Sequence, residues 1–238
     1  MNTIRDHLES VREQIAAAEA AAGRPAGSVR PAGSVRLLAV SKTFPAEDVA
    51  EAFACGQICF GENRVQELAS KVPVLPGTIE WHLIGSLQSN KAAKAAALAS
   101  WIHSVDSEKL VRKISAAAES LNKTVNILFE VNSGEENKTG FRSDDDLRAS
   151  LETALALPGV AIRGLMTMAP LDADEAALHR VFAALRARRD ALEREFSIKL
   201  PELSMGMSGD FREAIAEGAT IVRIGTAIFG GRGGQVLH

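Results

Sequence analysis

Between Thr3 and Ala22, the apolar residues Ile4, Leu8, Val11 and Ile15 recur at intervals of three and four, which predicts a helix with one buried face. After residue 35 the pattern changes. Short runs rich in Val, Ile and Leu at 35–41, 57–60, 79–84, 100–105, 124–132, 160–166, 202–206 and 220–224 predict eight strands. Amphipathic stretches of helical length separate them, at 46–55, 63–71, 88–98, 107–120, 144–156, 173–195 and 208–217, and a short segment follows the last strand. Strands that are almost continuously apolar are buried on both faces, as in a parallel sheet. Eight strand–helix units fit a closed barrel better than an open doubly wound sheet. The expectation is an α/β protein: a single (β/α)8 TIM barrel over 1–238, with the helix and loop of 1–34 packed on it. No G-x-G-x-x-G or G-x-x-x-x-G-K-[ST] follows the first strand, which weighs against a Rossmann domain or a P-loop enzyme.

Composition narrows the function. A chain of 238 residues, 46% hydrophobic and 24% charged, has enough apolar surface for one sizeable core. Its formal net charge is −3, with acidic and basic residues interspersed, so no positive field invites nucleic acid or an anionic membrane. Cys55 and Cys59 form neither a disulfide framework nor a metal-site pattern; they read as small apolar residues in a reducing compartment. No apolar run reaches membrane-spanning length, and the acidic, helical N-terminus does not resemble a signal peptide. The expected location is therefore cytoplasmic. The hexapeptide RPAGSV stands at 24–29 and again at 30–35, and reads as a surface-loop insertion without assigned function.

In such barrels the active site lies at the C-terminal ends of the strands. Those ends carry Lys42, Gly61-Glu62-Asn63, Gly85 to Asn90, His103 to Asp106, Asn132 to Gly140, Met166-Thr167-Met168, Gly206 to Asp210 and Arg223 to Thr226. Lys42 shares a strand face with Leu38 and Val40. If that face points inward, the amine emerges at the top of the core, where apolar surroundings favour its neutral, nucleophilic form; the other reading is a lysine that caps a strand end in solvent. SMGMSGD at 204–210 leads into a helix, as an anion site with Ser208 as hydroxyl donor and cap, or as an ordinary N-cap beside Asp210. VRIGTAIFG at 222–230 places Gly225 and Thr226 after the last strand, where barrels of this kind hold phosphate. Arg223 shares a face with Ile221, so it is expected inside, paired with a ring nitrogen or with Glu130. His82 and His103 lack metal-ligand spacing, so no metal site is expected. Trp81 and Trp101 read as packing between barrel and helices.

The stretches AVSKTFP, FGENRVQE (60–67), WHLIGSLQSNK (81–91), HSVDS (103–107), VNSGEENKTGF (131–141), GLMTMAP (164–170) and LSMGMSGDFREAIAEGATIVRIGTAIFG (203–230) stand in this order along nearly the whole chain after residue 35. Together they resemble the pyridoxal phosphate homeostasis family, also called YggS/PROSC or PLPBP. The resemblance implies a barrel like the N-terminal domain of alanine racemase, with pyridoxal 5′-phosphate (PLP) held as a Schiff base on Lys42. It implies that Ser208, Gly225 and Thr226 grip the phosphate with Ser204 nearby, that Arg223 faces the pyridine nitrogen, and that Asn63 lines the site. Two features depart from the family pattern: Ser86 where many members have proline, and the duplicated hexapeptide.

An arginine at the ring nitrogen has no acceptor and discourages protonation there, which weakens PLP as an electron sink. Racemisation needs an acid–base group on each face of the α-carbon, and the chain contains no tyrosine to supply the second. Cys59, near the end of the second strand, is the one thiol close enough to consider, and it reads as core packing. The expected function is a monomeric PLP carrier and buffer in vitamin B6 homeostasis, with no catalytic residue, delivering PLP transiently to apo-enzymes; surface lysines such as Lys138 would hold it in transit. The alternatives are a low-activity PLP-dependent racemase or decarboxylase, a module that signals B6 status, and a barrel for another phosphorylated ligand.

Overall fold

A computed structural model of the chain describes residues 3–23 and 35–230. The duplicated hexapeptide, apart from its last residue, lies outside the described residues, as do the final eight. The strands are β1 (Arg36–Val40), β2 (Cys59–Glu62), β3 (Glu80–Leu83), β4 (Trp101–Val105), β5 (Val125–Glu130), β6 (Val160–Met166), β7 (Glu202–Ser204) and β8 (Ile221–Ile224). All pair in parallel, in the order β1 to β8. The barrel closes through β1, which pairs Ala39 with Phe60 of β2 and Leu38 with Arg223 of β8. The helices are α1 (Ile4–Ala21), α2 (Ala46–Ala54), α3 (Val65–Lys71), α4 (Ala92–Leu98), α5 (Glu108–Ser120), α6 (Asp144–Leu155), α7 (Glu175–Phe196), α8 (Phe211–Ala216) and α9 (Thr226–Phe229).

Each strand separates its two faces by the period of two. Outward residues such as Ala39, Phe60, Trp81, Ile127, Phe129, Leu203 and Val222 join the layer between barrel and helices. Phe60 and Phe129 are fully buried there, and burying such a ring stabilises the fold by roughly 1.5–3 kcal/mol. Trp101 contradicts its expected place: it points into the barrel, where it packs with Leu128, Met166 and Met168. The helix α1 begins with a capping box between Thr3 and Asp6, an arrangement that supports a helix start by about 1 kcal/mol. It buries Leu8, Val11 and Ile15 and packs on α2, α8 and α9, over the seam where the barrel closes.

Two boundaries differ from the sequence reading, and both matter for the site. The second strand runs two residues later than expected, at Cys59–Glu62. Cys59 therefore opens the strand at the base of the barrel, far from the mouth where an α-carbon would be handled. The helix expected from 208 begins at Phe211, with Asp210 in the N-cap position, so Ser208 stays in the loop and does not cap it.

Candidate functional site

The C-terminal mouth of the barrel holds a cavity of about 600 Å³. Lys42, Asn63, Ser208, Arg223, Gly225 and Thr226 all line it. They come from the ends of β1 and β2, the loop after β7, and the last strand with its exit. Ser204 is absent from the wall: it is fully buried beneath Arg223.

Lys42 follows β1 in a tight turn, closed by the Phe44 N–H donating to the Ser41 carbonyl at 3.1 Å. Thr43 takes a left-handed conformation with φ 68°, which strains a β-branched residue by roughly 1–2 kcal/mol. Its N–H donates to the Glu67 carboxylate at 2.9 Å. Behind the turn, Glu62 accepts from the Ser41 hydroxyl at 2.7 Å and from Lys71 at 2.5 Å, and the same lysine donates to the Ser41 carbonyl. Burial pushes the Glu62 carboxyl up from its ordinary range, against the hydrogen bond from Lys71. Glu62 was expected on the rim; its side chain instead faces α3 and ties down the strand end from which Lys42 leaves. The Lys42 side chain is exposed, so the cavity presents it to solvent rather than sealing it in the core.

Two strands round the barrel from β1, Gly206 has φ +94°, and a Cβ there would lie 2.7 Å from that of Ala214, so the loop after β7 turns tightly enough to bring Ser208 and Gly209 to the cavity. Asp210 accepts from the Met207 N–H at 2.5 Å, and burial raises its carboxyl above the ordinary value. Gly225 and Thr226 open α9, and the first N–H groups of a helix have no acceptor within it.

Arg223 is buried, yet it also lines the cavity. Its Nη1 donates to the carbonyl and the hydroxyl of Ser204, each at 2.7 Å, and its Nη2 to the Thr167 carbonyl at 2.8 Å. Burial lowers its pKa to about 10, which still leaves it cationic at neutral pH. Glu130, considered as its ion-pair partner, accepts instead from the Thr139 hydroxyl at 2.8 Å, and burial pushes its carboxyl up. Glu130 and Asp210 both line the cavity. Asp210 stands among the strand-end residues expected there from the sequence, whereas Glu130 was considered only as a partner of Arg223; the strand face it shares with Leu128 carries it to the wall.

The barrel interior below is unusually polar for this fold. The His103 ring sits 3.0 Å from the Ser204 hydroxyl through Nδ1 and 2.8 Å from His82 Nδ1 through Nε2. His82 Nε2 in turn meets Glu80 at 2.8 Å, and its ring stacks on Trp101. One group of possible metal ligands occurs among the described residues, Cys59, Glu80 and His82 at the base. Arg36 donates to the same Glu80 oxygen at 2.7 Å, so a guanidinium already supplies the positive charge. Burial pushes the Cys59 thiol up to about 12.

The alanine racemase N-terminal domain model matches residues 8–233. The pyridoxal phosphate homeostasis protein of Aquifex aeolicus is 42% identical over 228 residues, covering 95% of this chain and 97% of that protein. The chain belongs to the pyridoxal phosphate homeostasis protein family. The Pseudomonas aeruginosa family member is 43% identical over 98% of this chain and 97% of its own length. PipY of Synechococcus elongatus, solved with PLP bound, superposes with a TM-score of 0.82 at 41% identity, over 96% of this chain and all of that one. Alanine racemase of Clostridium difficile has a TM-score of 0.70 at 14% identity, over 85% of this chain and 54% of that one, a likeness of fold alone. No helix among the described residues is long and apolar enough to cross a membrane.

Proposed function

We propose that this chain binds PLP through Lys42 and serves as a carrier and buffer in PLP homeostasis. The carrying observation is that one cavity collects an amine, Lys42, two hydroxyls, Ser208 and Thr226, and a buried guanidinium, Arg223. That donor set fits a small aldehyde with a phosphate and a ring acceptor. PipY, so similar over its whole length, is a PLP-bound relative, and the curated relatives bear the homeostasis name.

In this reading Lys42 anchors the aldehyde, while Ser208, Gly225 and Thr226 hold the phosphate. Arg223 meets the ring nitrogen and Asn63 borders the ring. PLP supplies a reactive carbonyl and an electron sink when bound. A cationic Arg223 that only donates leaves the ring nitrogen unprotonated and keeps that sink weak. The strained Lys42–Thr43 turn and the Glu62–Lys71 pair fix the anchor, and its exposure favours exchange with solvent and with apo-enzymes. The protein acts as a monomer in the cytoplasm, in contact with PLP and transiently with apo-enzymes, and with neither nucleic acid nor membrane. Its one domain comprises the barrel and the N-terminal helix.

The test is to add PLP to the purified protein, record its absorbance, reduce with borohydride and map the modified peptide. A pyridoxyl group on Lys42, lost in Lys42→Ala, is expected; a protein that takes up no PLP overturns the proposal. Incubating the loaded protein with amino acids in deuterium oxide separates a carrier from an enzyme that removes the α-hydrogen. The carrier should exchange almost no α-hydrogen, and sustained exchange would make it a racemase-like enzyme.

A further inference from the structure

The polar interior of the barrel forms one continuous hydrogen-bond chain from mouth to base, and its proton order follows from its two ends. At the mouth, Arg223 has only donors, so the Ser204 hydroxyl accepts from it at 2.7 Å. At the base, the hydrogen bond from His82 lowers the Glu80 carboxyl to about 2 despite its burial, so Glu80 is ionised and only accepts. His82 must then present Nε2–H to Glu80 at 2.8 Å, which leaves its Nδ1 as a lone pair. That lone pair requires a proton on His103 Nε2, 2.8 Å away. His103 Nδ1 is in turn a lone pair, and it takes the Ser204 hydroxyl proton at 3.0 Å. Both rings are fully buried and held neutral, since burial lowers their affinity for a second proton. The reverse order would set a bare His82 nitrogen against a carboxylate.

We propose that Ser204, His103, His82 and Glu80 are positioning residues that hold Arg223 rigid at the cavity, through a chain whose donors all point from mouth to base. The chain explains how a fully buried cation is kept without a carboxylate directly on it. The carboxyls of Asp210 and Glu130 act on it across space. With its proton given to His103, the Ser204 oxygen is a stronger acceptor for Arg223. Three of the five guanidinium N–H groups are used on Ser204 and Thr167, which leaves two for the cavity. The consequence is remote control: Glu80, at the opposite end of the barrel and away from the cavity wall, sets the orientation of a residue on that wall. This inference rests on the proposed function only for what Arg223 meets, and not for the chain itself.

The decisive experiment needs no PLP. Nitrogen-15 NMR of the purified protein should show His82 and His103 both protonated at Nε2 and unprotonated at Nδ1, unchanged between about pH 6 and pH 8. The Arg223 guanidinium should show separate, slowly exchanging Nη signals. Ser204→Ala cuts the chain at the top, and Glu80→Gln replaces the accept-only carboxylate that orders it from below with an amide that can either accept or donate. Both should collapse the Arg223 Nη signals towards one averaged line, and Glu80→Gln should mix the histidine tautomers. With PLP added, both variants should still be labelled at Lys42 but release PLP about tenfold faster, as expected from the loss of one charge-assisted hydrogen bond. A proton on His103 Nδ1 in the unsubstituted protein overturns the proposal, as do Arg223 signals left unchanged by both substitutions. Failure to take up PLP would sink the carrier reading and leave the NMR result standing.

Discussion

The N–H of Thr43 donates to the carboxylate of Glu67 across 2.9 Å, and this bond holds in place the strained residue that follows Lys42. A β-branched side chain at φ 68° persists only where its surroundings fix it. Here the fixing group comes from α3, the same helix whose Lys71 clamps Glu62 and Ser41. The exposed anchor amine thus stands on a turn braced from two sides.

Removing that brace should be measurable. Glu67→Ala is expected to lower stability by about 1 kcal/mol, the net worth of one hydrogen bond, seen as a lower urea midpoint with unchanged slope. It should also slow PLP attachment to Lys42, because the turn then samples other conformations. An unchanged midpoint and rate would mean that the turn holds itself.

Stability should fall with acid through the two interior histidines. Burial lowers the folded pKa of both His82 and His103 below the ordinary value of 6.5. As pH falls past that value the unfolded chain takes up protons that the folded chain refuses. Stability is therefore full above the unfolded pKa and is lost as pH falls towards the folded one, by about 1.4 kcal/mol per pH unit for each ring. Urea titrations around pH 5.5 should show His103→Gln taking up about one proton fewer on unfolding than the unsubstituted protein. An equal uptake would mean that His103 is charged in the fold.

Gly85 should tolerate no side chain. A Cβ there would lie 2.3 Å from the Asn63 carbonyl oxygen, and backbone cannot yield as a flexible side chain does. Gly85→Ala is expected to lower stability by about 1–3 kcal/mol and to displace Asn63 from the cavity wall. Thermal unfolding checks the first effect, and the absorbance of added PLP the second.

Cys59 should resist alkylation. With its pKa pushed up to about 12, its thiolate fraction at pH 8 is on the order of 10⁻⁴. Iodoacetamide should leave Cys59 unmodified in the folded protein and modify it readily in urea, as mass spectrometry of the peptides would show. Rapid labelling of the folded protein would show that the base of the barrel opens.

The eight strands and the intervening helices were legible because each buries its apolar residues at its own period. The Lys42 position and the loops after β7 and β8 were legible for a related reason: barrel chemistry collects at strand ends, and strand ends can be read in order. Cys59 was misplaced because an apolar run gives a strand's existence better than its limits, and a shift of two residues moved the thiol to the base. Trp101 was misassigned because a central parallel strand is apolar on both faces, so the pattern cannot say which face looks inward. Glu62 failed differently: it stands in a rim motif, yet its face of β2 turns to α3 and Lys71.

By itself, then, the chain determined the barrel, its closure after eight units and the set of residues at its mouth, because periodicity and order are local properties carried by neighbouring residues. Only the tertiary structure decided that Arg223 rests on Ser204 and not on Glu130, that Glu130 borders the cavity and accepts from Thr139 instead, and that His103 and His82 join Arg223 to Glu80. Those contacts link β8 and β7 to β4 and β3 across the barrel interior. Hydrogen bonding between side chains so far apart in sequence depends on strand register and inward facing, which are settled when the sheet closes.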